Sequence, residues 1–293
     1  MNYPLSCATF LAAKSATAAW LQFAFCRPRF ALVVILAFVS SPGFCTSHGA
    51  TIEYITTGNQ NLNLSSNWSG GTLPGSNDIA LWDAGSPSGT ALLGAPTTWL
   101  GLKFGSVATG NPAGPVTLGA DGNTLTLGTG GIDMSAATQS LTIEANLTIA
   151  PGGQTWNVGS SQTLTLASTG TFTRSAGSTL VIAGGSGVLA TSMINFAVNT
   201  NGIVGPWAII STPGAAANSS FGGYVYATNI GDIVPYTSAT PETAFGWPTG
   251  NAATVNYDVS GVQGGLGVSR TANVVRYTGT TGFKTGASRT PPL

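Results

Sequence analysis

The sequence predicts an all-β protein, built as a parallel β-helix (a β-solenoid). Short runs of apolar residues and Thr recur between residues 122 and 189, for example Thr-Leu-Thr-Leu at 124–127 and again at 163–166. Gly, Ser, Asn and Gln separate the runs, as expected for strands joined by tight corners. Charged residues make up 6 % of the chain, against about 25 % in an ordinary soluble domain. Hydroxyl and amide groups must therefore keep the outer surface hydrated.

The spacing of the apolar residues supports this fold class. Within most runs apolar residues alternate with Thr or Asn, which places the two kinds on opposite faces of a strand. Three strands at eight-residue steps would give a coil of about 24 residues, near known repeat periods. A meander in a sandwich or barrel fits the same strands, but the Gly-rich corners favour a solenoid. The positions at eight-residue steps are Trp156, Leu164, Phe172, Leu180 and Val188, and the looser upstream set is Leu125, Ile132, Leu141 and Leu147.

The first 45 residues are predicted to be a secretory signal peptide. Residues 30–39 form an uncharged apolar run that follows Arg27 and Arg29 and precedes small and turn-forming residues at 40–43. Ten residues at about 1.5 Å each cannot cross about 30 Å of hydrocarbon. We expect cleavage between 41 and 50, export to the outer cell surface or the medium, and no permanent membrane span afterwards. The alternative is that this segment stays as an anchor.

The amino acids left after cleavage exclude several functional classes. All three cysteines (Cys7, Cys26 and Cys45) and the single histidine, His48, lie in or beside the signal segment. The rest of the chain then has no disulfide, no thiol or zinc site and no Ser-His-Asp triad. Its six basic and nine acidic residues give 6 − 9 = −3 without a basic patch, so no nucleic-acid partner is expected. We predict no catalytic, metal-binding or cofactor-binding residues.

The remaining chain divides into three predicted parts. Residues 46–115 are expected to form a β-rich N-terminal cap, with strands at Ile79–Trp82 and around Trp99–Phe104. Residues 116–260 form the repeat domain. Residues 261–293 are a Gly-, Thr- and Ser-rich tail, partly disordered at Thr285–Leu293, with one strand candidate at Ala272–Tyr277. After position 191 the repeat domain keeps strand candidates at Ile203-Val204, Trp207–Ile210, Tyr224–Tyr226 and Ile233-Val234, with a loop at Pro213–Phe221.

Several segments together resemble the autotransporter-associated β-strand repeat proteins. The most specific is Gly130-Gly131-Ile132-Asp133-Met134-Ser135, followed by Leu141-Thr142-Ile143, Gln154-Thr155-Trp156-Asn157-Val158 and Thr163-Leu164-Thr165-Leu166; Asn67-Trp68-Ser69-Gly70-Gly71 is similar to their N-terminal segment. The resemblance covers roughly residues 60–280. It implies a right-handed parallel β-helix in a secreted bacterial protein, without catalytic residues to carry over. Because many repeats and a barrel or sorting signal are missing, we expect a fragment or truncated member.

Enzymatic chemistry is the main alternative to weigh. Glycosidases need two carboxylates flanking one bond, and coils could bring distant acids together. We expect turn roles for most of them, because Asp121-Gly122 is a turn dipeptide and Asp78 follows Asn77 in a loop. A β-helix lyase would need a base, and Arg174 is the only one in the repetitive stretch; we expect it on the outer, solvated face. The acids are Glu53, Asp78, Asp83, Asp121, Asp133, Glu144, Asp232, Glu242 and Asp258.

The aromatic residues raise the possibility of a sugar-stacking surface. We expect most of them to pack in the ends of the β core instead. Gly184–Gly187 resembles the start of a calcium-binding nonapeptide, but Leu189 stands at the Asp position, which predicts a turn. Four Asn-x-Ser/Thr sequons begin at Asn63, Asn67, Asn146 and Asn218, as chance allows in so Asn-rich a chain. The aromatic candidates are Trp68, Trp82, Trp99, Trp207, Trp247, Tyr224 and Tyr226.

From these observations we expect a non-catalytic, secreted or cell-surface structural or adhesion protein of autotransporter-passenger type. Its expected partners are extracellular glycans or other surface proteins. The alternatives are a β-helix polysaccharide lyase or hydrolase, and a carbohydrate-binding module.

Overall fold

A computed structural model describes residues 49–56, 60–183, 187–193, 195–196, 201–211, 224–242, 251–259 and 271–277. The predicted signal segment, the loop at 213–221 and the tail at 285–293 lie outside these residues. In the part of the chain that is described, no helix combines the length and apolar character needed to cross a membrane.

The chain forms a parallel β-solenoid of about six turns. This confirms the predicted fold class, and the parallel ladders exclude the meander. Strands from successive turns lie side by side on three faces, which we name A, B and C. Apolar side chains at every second position point inward, because strand side chains alternate between the two sides.

Face A contains the longest ladder. Successive strands pair in parallel from the first turn to the last. β4 and β6 are long because each runs from face C, around a corner, onto face A. The strands are β1 (Thr51–Glu53), β2 (Ile79–Trp82), β4 (Thr97–Phe104), β6 (Thr124–Met134), β9 (Gly152–Val158), β12 (Ser178–Ala183) and β14 (Ala208–Ser211).

Faces B and C complete each turn. Face B is a five-stranded parallel sheet, and face C joins the first halves of β4 and β6 to two short strands. Face B holds β3 (Gly89–Leu92), β5 (Val116–Gly119), β7 (Leu141–Ile143), β10 (Thr163–Leu166) and β13 (Val188–Thr191); face C adds β8 (Asn146–Ile149) and β11 (Phe172–Arg174).

Register partners show how regular the turns are. Ile132 pairs with Trp156, and this turn matches the expected coil of about 24 residues. The turn from Leu125 to Leu147 is slightly shorter, whereas the turn from Leu102 to Ile132 is longer. The expected coil length therefore lies within the observed range, and the corner loops absorb the variation.

The eight-residue rule holds for four of its five positions. Trp156, Leu164, Phe172 and Leu180 are all buried, and they fall on faces A, B, C and A in turn. Val188 does not fit: it is 38 % exposed, and Leu189 points inward and pairs with Leu164. The register partner of Trp156 is likewise Ile182 rather than Leu180. Extra corner residues shift the phase, so this expectation was wrong at Val188.

Steric crowding at the corner of β6 explains why the sequence has glycine at positions 130 and 131. Gly131 lies at the corner of β6 with a φ of 62°, which favours glycine. A Cβ on Gly131 would lie 2.2 Å from the carbonyl oxygen of Thr155 in the next turn. Gly101, its register partner in the previous turn, has a Cβ position only 2.8 Å from the carbonyl carbon of Gly130. Adjacent backbones therefore approach too closely here for any larger residue.

The N-terminal end of the solenoid is closed by aromatic side chains. Tyr54, Trp68, Trp82 and Trp99 are each 1 % exposed, and their ring centroids lie 5.3–5.9 Å apart. The segment that carries Trp68 turns back over the first coil through two short 3₁₀ helices, Ser65–Asn67 and Ser69–Gly71. Such packing buries large apolar rings at the otherwise open end of the core.

The expected boundary between cap and repeat domain at residue 116 was wrong. β1, β2 and β4 already belong to the parallel ladder of face A. The predicted strands at Ile79–Trp82 and Trp99–Phe104 do exist. The repeat period of the apolar residues is not visible in the sequence of this region, because aromatic residues and loops make its corners irregular.

The C-terminal end is covered by antiparallel strands. β15 (Tyr224–Asn229) pairs antiparallel with β14, and β16 (Ile233–Pro235) pairs antiparallel with β15. This reversal occupies the last free edge of face A, which limits pairing with other chains. Ile203 and Val204 are buried but lie in no strand, contrary to the prediction.

The last described residues form a separate parallel sheet of three strands. β17 (Thr240–Glu242), β18 (Asn251–Val259) and β19 (Thr271–Tyr277) pair in that order. The predicted strand at Ala272–Tyr277 is confirmed. Asp258 and Arg276 are register partners on this sheet, and the Arg276 Nε donates to Asp258 Oδ1 (2.7 Å).

Candidate functional site

Threonines form a continuous column along the outside of face B. Its members alternate with buried neighbours, so their side chains point outward. Parallel pairing sets them about 4.8 Å apart from turn to turn. The face B column consists of Thr90, Thr117, Thr142 and Thr165.

A second column of the same kind runs along face C. Each threonine offers a hydroxyl and a methyl group on a side chain whose χ1 is restricted in a strand. The two faces thus present uncharged, regularly spaced hydroxyl groups. The face C column consists of Thr98, Thr126, Thr148 and Thr173.

The Asn146 side chain forms hydrogen bonds with the preceding and the following turn, beside the face C column. Its Nδ2 donates to the carbonyl oxygen of Gly122 (3.2 Å) in the preceding turn. Its Oδ1 accepts from the backbone N–H of Thr171 (3.0 Å) and from the Thr171 hydroxyl (2.8 Å) in the following turn. Asn67 is similarly engaged, with its Nδ2 donating to Asn61 O (2.6 Å). Asn67 is also buried, and each of these two sequon amides donates to a backbone carbonyl.

Among the described residues, four acids accept hydrogen bonds from backbone N–H groups at corners: Asp78, Asp83, Asp121 and Asp133. Asp78 accepts from Ala50 N (2.8 Å) and Gly75 N (2.9 Å). Asp133 accepts from Ser135 N (3.0 Å) and from the Ser135 hydroxyl (2.6 Å). The Asp78 contacts are the turn role predicted from its neighbours, and Asp133 has a role of the same kind.

Asp121 also binds turn N–H groups, and one of these contacts joins two turns of the solenoid. It accepts from Asn123 N (3.0 Å) and, in the preceding turn, from Gly94 N (2.7 Å). Burial acts to raise the pKa of Asp121, but hydrogen bonds with Asn123 and Gly94 outweigh it and lower the pKa. Asp121 is therefore ionised even in mildly acidic solution.

Glu53 and Asp83 are the carboxyl groups that the fold brings together. A Cβ on Gly85 would lie 2.2 Å from Glu53 Oε1 and 3.6 Å from Asp83 Oδ1, so both carboxyl tips flank this glycine. Burial, a hydrogen bond with Asp83 and the charge of Asp83 raise the pKa of Glu53. Asp83 is 2 % exposed and accepts from Gly85 N (3.0 Å). Sequence reasoning missed this pair because its members are distant in the sequence and meet only through the pairing of β1 with β2.

Metal ligands do not converge in the described residues. No group of three or more His, Cys, Asp or Glu side chains lies close enough there to hold an ion. Glu144, Asp232 and Asp258 lie on other turns or sheets from the Glu53–Asp83 pair, and the side chain of Glu242 lies outside the described residues.

Of the five aromatic candidates whose side chains are described, three are core residues, as expected. Trp68, Trp82 and Trp99 belong to the N-terminal cluster, and Trp68 Nε1 donates to Leu62 O (2.8 Å). Tyr54 Oη and Trp82 Nε1 are buried without a hydrogen-bond partner. Burial raises the pKa of the Tyr54 phenol to about 12. Trp247 and the side chain of Tyr224 lie outside the described residues.

Trp207 and Arg174 reach the surface near the other end of the core. Trp207 stacks on Phe172, with ring centroids 5.9 Å apart. The guanidinium carbon of Arg174 lies 5.6 Å from the Trp207 ring centroid, within cation–π range. Arg174 is exposed, as predicted, although strict alternation with buried Phe172 would turn it inward. β11 ends at Arg174, and the Nη1 of Arg174 donates to Ser178 O (3.2 Å).

An open depression of about 480 Å³ lies on the N-terminal part of face B. It is shallow and mixes an apolar floor with amide, hydroxyl and carboxylate groups. Sequence reasoning did not find it, because three turns contribute and no local motif marks them. The lining residues are Gln60, Asn61, Thr90, Leu92, Gly94 and Asp121.

Comparison of the chain with protein-family models, with curated proteins and with solved structures finds no match.

Proposed function

We propose that this protein is an exported, non-catalytic scaffold of autotransporter-passenger type, which acts in structure or adhesion at the cell surface or outside it. The observation that carries the proposal is the pair of threonine columns on faces B and C. Columns of uncharged, regularly spaced hydroxyl groups suit extended binding to a neutral partner better than they suit acid–base catalysis, which needs groups with matched pKa values at one point.

The closed ends of the solenoid support a scaffold role. Aromatic rings fill the N-terminal end, and antiparallel strands cover the last edge of face A. Ends of this kind keep the sheets from pairing with other chains, so the side faces are the surfaces left for partners. The dispersed turn acids fit the same role, since they hold corners rather than converge on a groove.

Export rests on the sequence of residues 1–45. The test is expression of the full chain in a bacterial host with two membranes, followed by fractionation and N-terminal sequencing. We expect a product that begins between residues 42 and 51 outside the inner membrane. Leu36→Arg should block this, because it places a charge in the apolar run. The matched control, Leu5→Arg, lies outside the run and should be exported normally; export of Leu36→Arg, or retention of the unchanged chain, would contradict the proposal.

The enzymatic alternative has one supporting observation, the Glu53–Asp83 pair. The purified chain should release no reducing or unsaturated ends from a panel of polysaccharides. Release that is lost in Glu53→Gln and Asp83→Asn, but kept in Asp133→Asn, would replace the scaffold proposal with a hydrolase or lyase.

A further inference from the structure

The depression on face B forms where three turns meet. Asn61 bridges to Leu92 in the next turn, and Leu92 is the register partner of Gly119 in the turn after that. Leu92 points outward and is 43 % exposed, one of the larger apolar side chains on this surface. The depression therefore has an apolar floor at a position where the neighbouring turn offers no side chain.

Two glycines keep this space open. A Cβ on Gly119 would lie 2.7 Å from Thr90 Cγ2 and 3.0 Å from Leu92 Cδ2. A Cβ on Gly94 would lie 2.0 Å from Asn61 Oδ1, and Gly94 has a φ of 72°. Any larger residue at either position would push side chains into the depression or displace its rim.

The few polar groups around the floor of the depression include both hydrogen-bond donors and acceptors. Asp121 is a carboxylate with about four acceptor sites, two of which the Gly94 and Asn123 N–H groups use. Thr90 supplies an exposed hydroxyl, and Gln60 supplies a carboxamide that both donates and accepts. Asp121 is the one charged group in the lining, so the site disfavours anions.

A pyranose ring matches this combination. One face of the ring is made of C–H groups that can lie on Leu92, while its edge carries hydroxyls that donate to a carboxylate and exchange hydrogen bonds with amides. Pockets for small ligands commonly have this design of apolar walls with a few placed polar groups. The face B threonine column begins at the depression with Thr90 and continues through Thr117, Thr142 and Thr165.

We propose that face B binds a neutral glycan, with one sugar unit in the depression over Leu92 and the chain continuing along the threonine column. This inference rests on the proposed adhesive function and names the partner for it. The partner is a neutral polysaccharide rather than an acidic one, since Asp121 would repel a carboxylated or sulfated chain.

The test is affinity electrophoresis of the full chain through gels that contain a β-glucan, a xylan, a mannan, a galactan or an acidic polygalacturonan. We expect retardation by at least one neutral polysaccharide and none by the acidic one. Leu92→Ser and Asp121→Asn should each weaken the interaction about tenfold or more, the effect of losing one good contact.

Gly119→Ala tests whether the open volume of the depression is needed for binding. This change removes no side chain that could contact a sugar and only adds a methyl group beside Leu92 and Thr90. It should weaken binding to the same polysaccharide. The controls are Val275→Ser, which alters an equally exposed apolar residue on the separate sheet of β17, β18 and β19, and Asp133→Asn, which alters another turn acid. Both should bind normally, and circular dichroism should confirm that every variant keeps the β fold.

Retardation by no polysaccharide, or by the acidic one alone, would overturn the inference. So would binding that Leu92→Ser and Gly119→Ala leave unchanged while both stay folded. These outcomes differ from failure of the proposed function, because export and surface location are measured independently of any glycan.

Discussion

Gln154 provides a quantitative test of the solenoid core. Its side chain is 1 % exposed and connects two turns, since its Nε2 donates to Leu127 O (2.6 Å). Its Oε1 accepts from Trp156 Nε1 (3.2 Å), which is also fully buried. Gln154→Leu has nearly the same size but makes neither hydrogen bond. Leu127 O keeps a second donor, Ala150 N (2.8 Å), whereas Trp156 Nε1 is left unpaired.

The expected loss follows from these contacts. A buried donor without a partner costs about 1–3 kcal/mol, and the lost bond to Leu127 adds about 1 kcal/mol. We therefore expect Gln154→Leu to lower the free energy of unfolding by about 2–4 kcal/mol in urea denaturation. Gln162→Leu is the control, because Gln162 is partly exposed at a corner; it should change stability by at most about 0.5 kcal/mol.

A double-mutant cycle separates the Gln154–Trp156 bond from general packing. Trp156→Phe removes the N–H donor, so the double variant should be more stable than the sum of the two single losses predicts by about 1 kcal/mol or more. If the two effects add within about 0.5 kcal/mol, or if Gln154→Leu is as stable as the unchanged protein, the described hydrogen bonds do not hold these turns together.

Three further predictions concern the Glu53–Asp83 pair, the aromatic N-terminal end of the core, and the register of the strands on face B. The raised pKa of Glu53 means that the native state keeps a proton that the unfolded chain has released, so its contribution to stability falls as pH rises from the ordinary glutamate value through the raised one. Glu53→Gln should flatten that fall and raise the free energy of unfolding at neutral pH, by at most about 1 kcal/mol because the site is partly solvated; a steeper fall would contradict the pairing. Tyr54→Phe removes a buried hydroxyl without a partner and should leave stability unchanged or raise it, whereas Trp68→Phe should lower it by about 1–3 kcal/mol through the lost bond to Leu62 O; equal losses on thermal unfolding would refute this. Leu164→Ala should cost about 2–5 kcal/mol and Val188→Ala about 0.5 kcal/mol or less, since only the first is buried, and the reverse order would show that the strands are shifted.

The sequence was sufficient to predict the fold class and most inward positions. Period-two alternation in runs such as 124–127 and 163–166 depends only on local chemistry, so it predicted the buried leucines. Corner lengths depend on how neighbouring turns meet, and single-sequence spacing could not predict them. The predicted phase therefore fails at Val188, and the coils that begin at residue 51 do not form the separate cap that the spacing predicts.

The depression on face B could not be predicted from the sequence either, because it too depends on how neighbouring turns meet. Asn61, Leu92 and Gly119 lie far apart in the sequence. The register of the strands in successive turns brings them to one surface. Glu53 and Asp83 meet in the same way. The turn roles of Asp78 and Asp121 could be predicted, because the residues that follow or precede them already specify a local turn.

In-register stacking of the turns is the central claim, since both threonine columns and the depression depend on it. Disulfide cross-linking tests it directly in the full chain after the three native cysteines are replaced by serine. Thr126 and Thr148 are register partners on adjacent turns, and strands about 4.8 Å apart lie within the Cα separation that a disulfide bridges. Under mild oxidation, Thr126→Cys with Thr148→Cys should form an intramolecular disulfide in most chains, as measured by mass spectrometry of the digested protein. Thr126→Cys with Thr165→Cys, on different faces, should form none; absence of the first cross-link, or equal formation of both, would contradict the account.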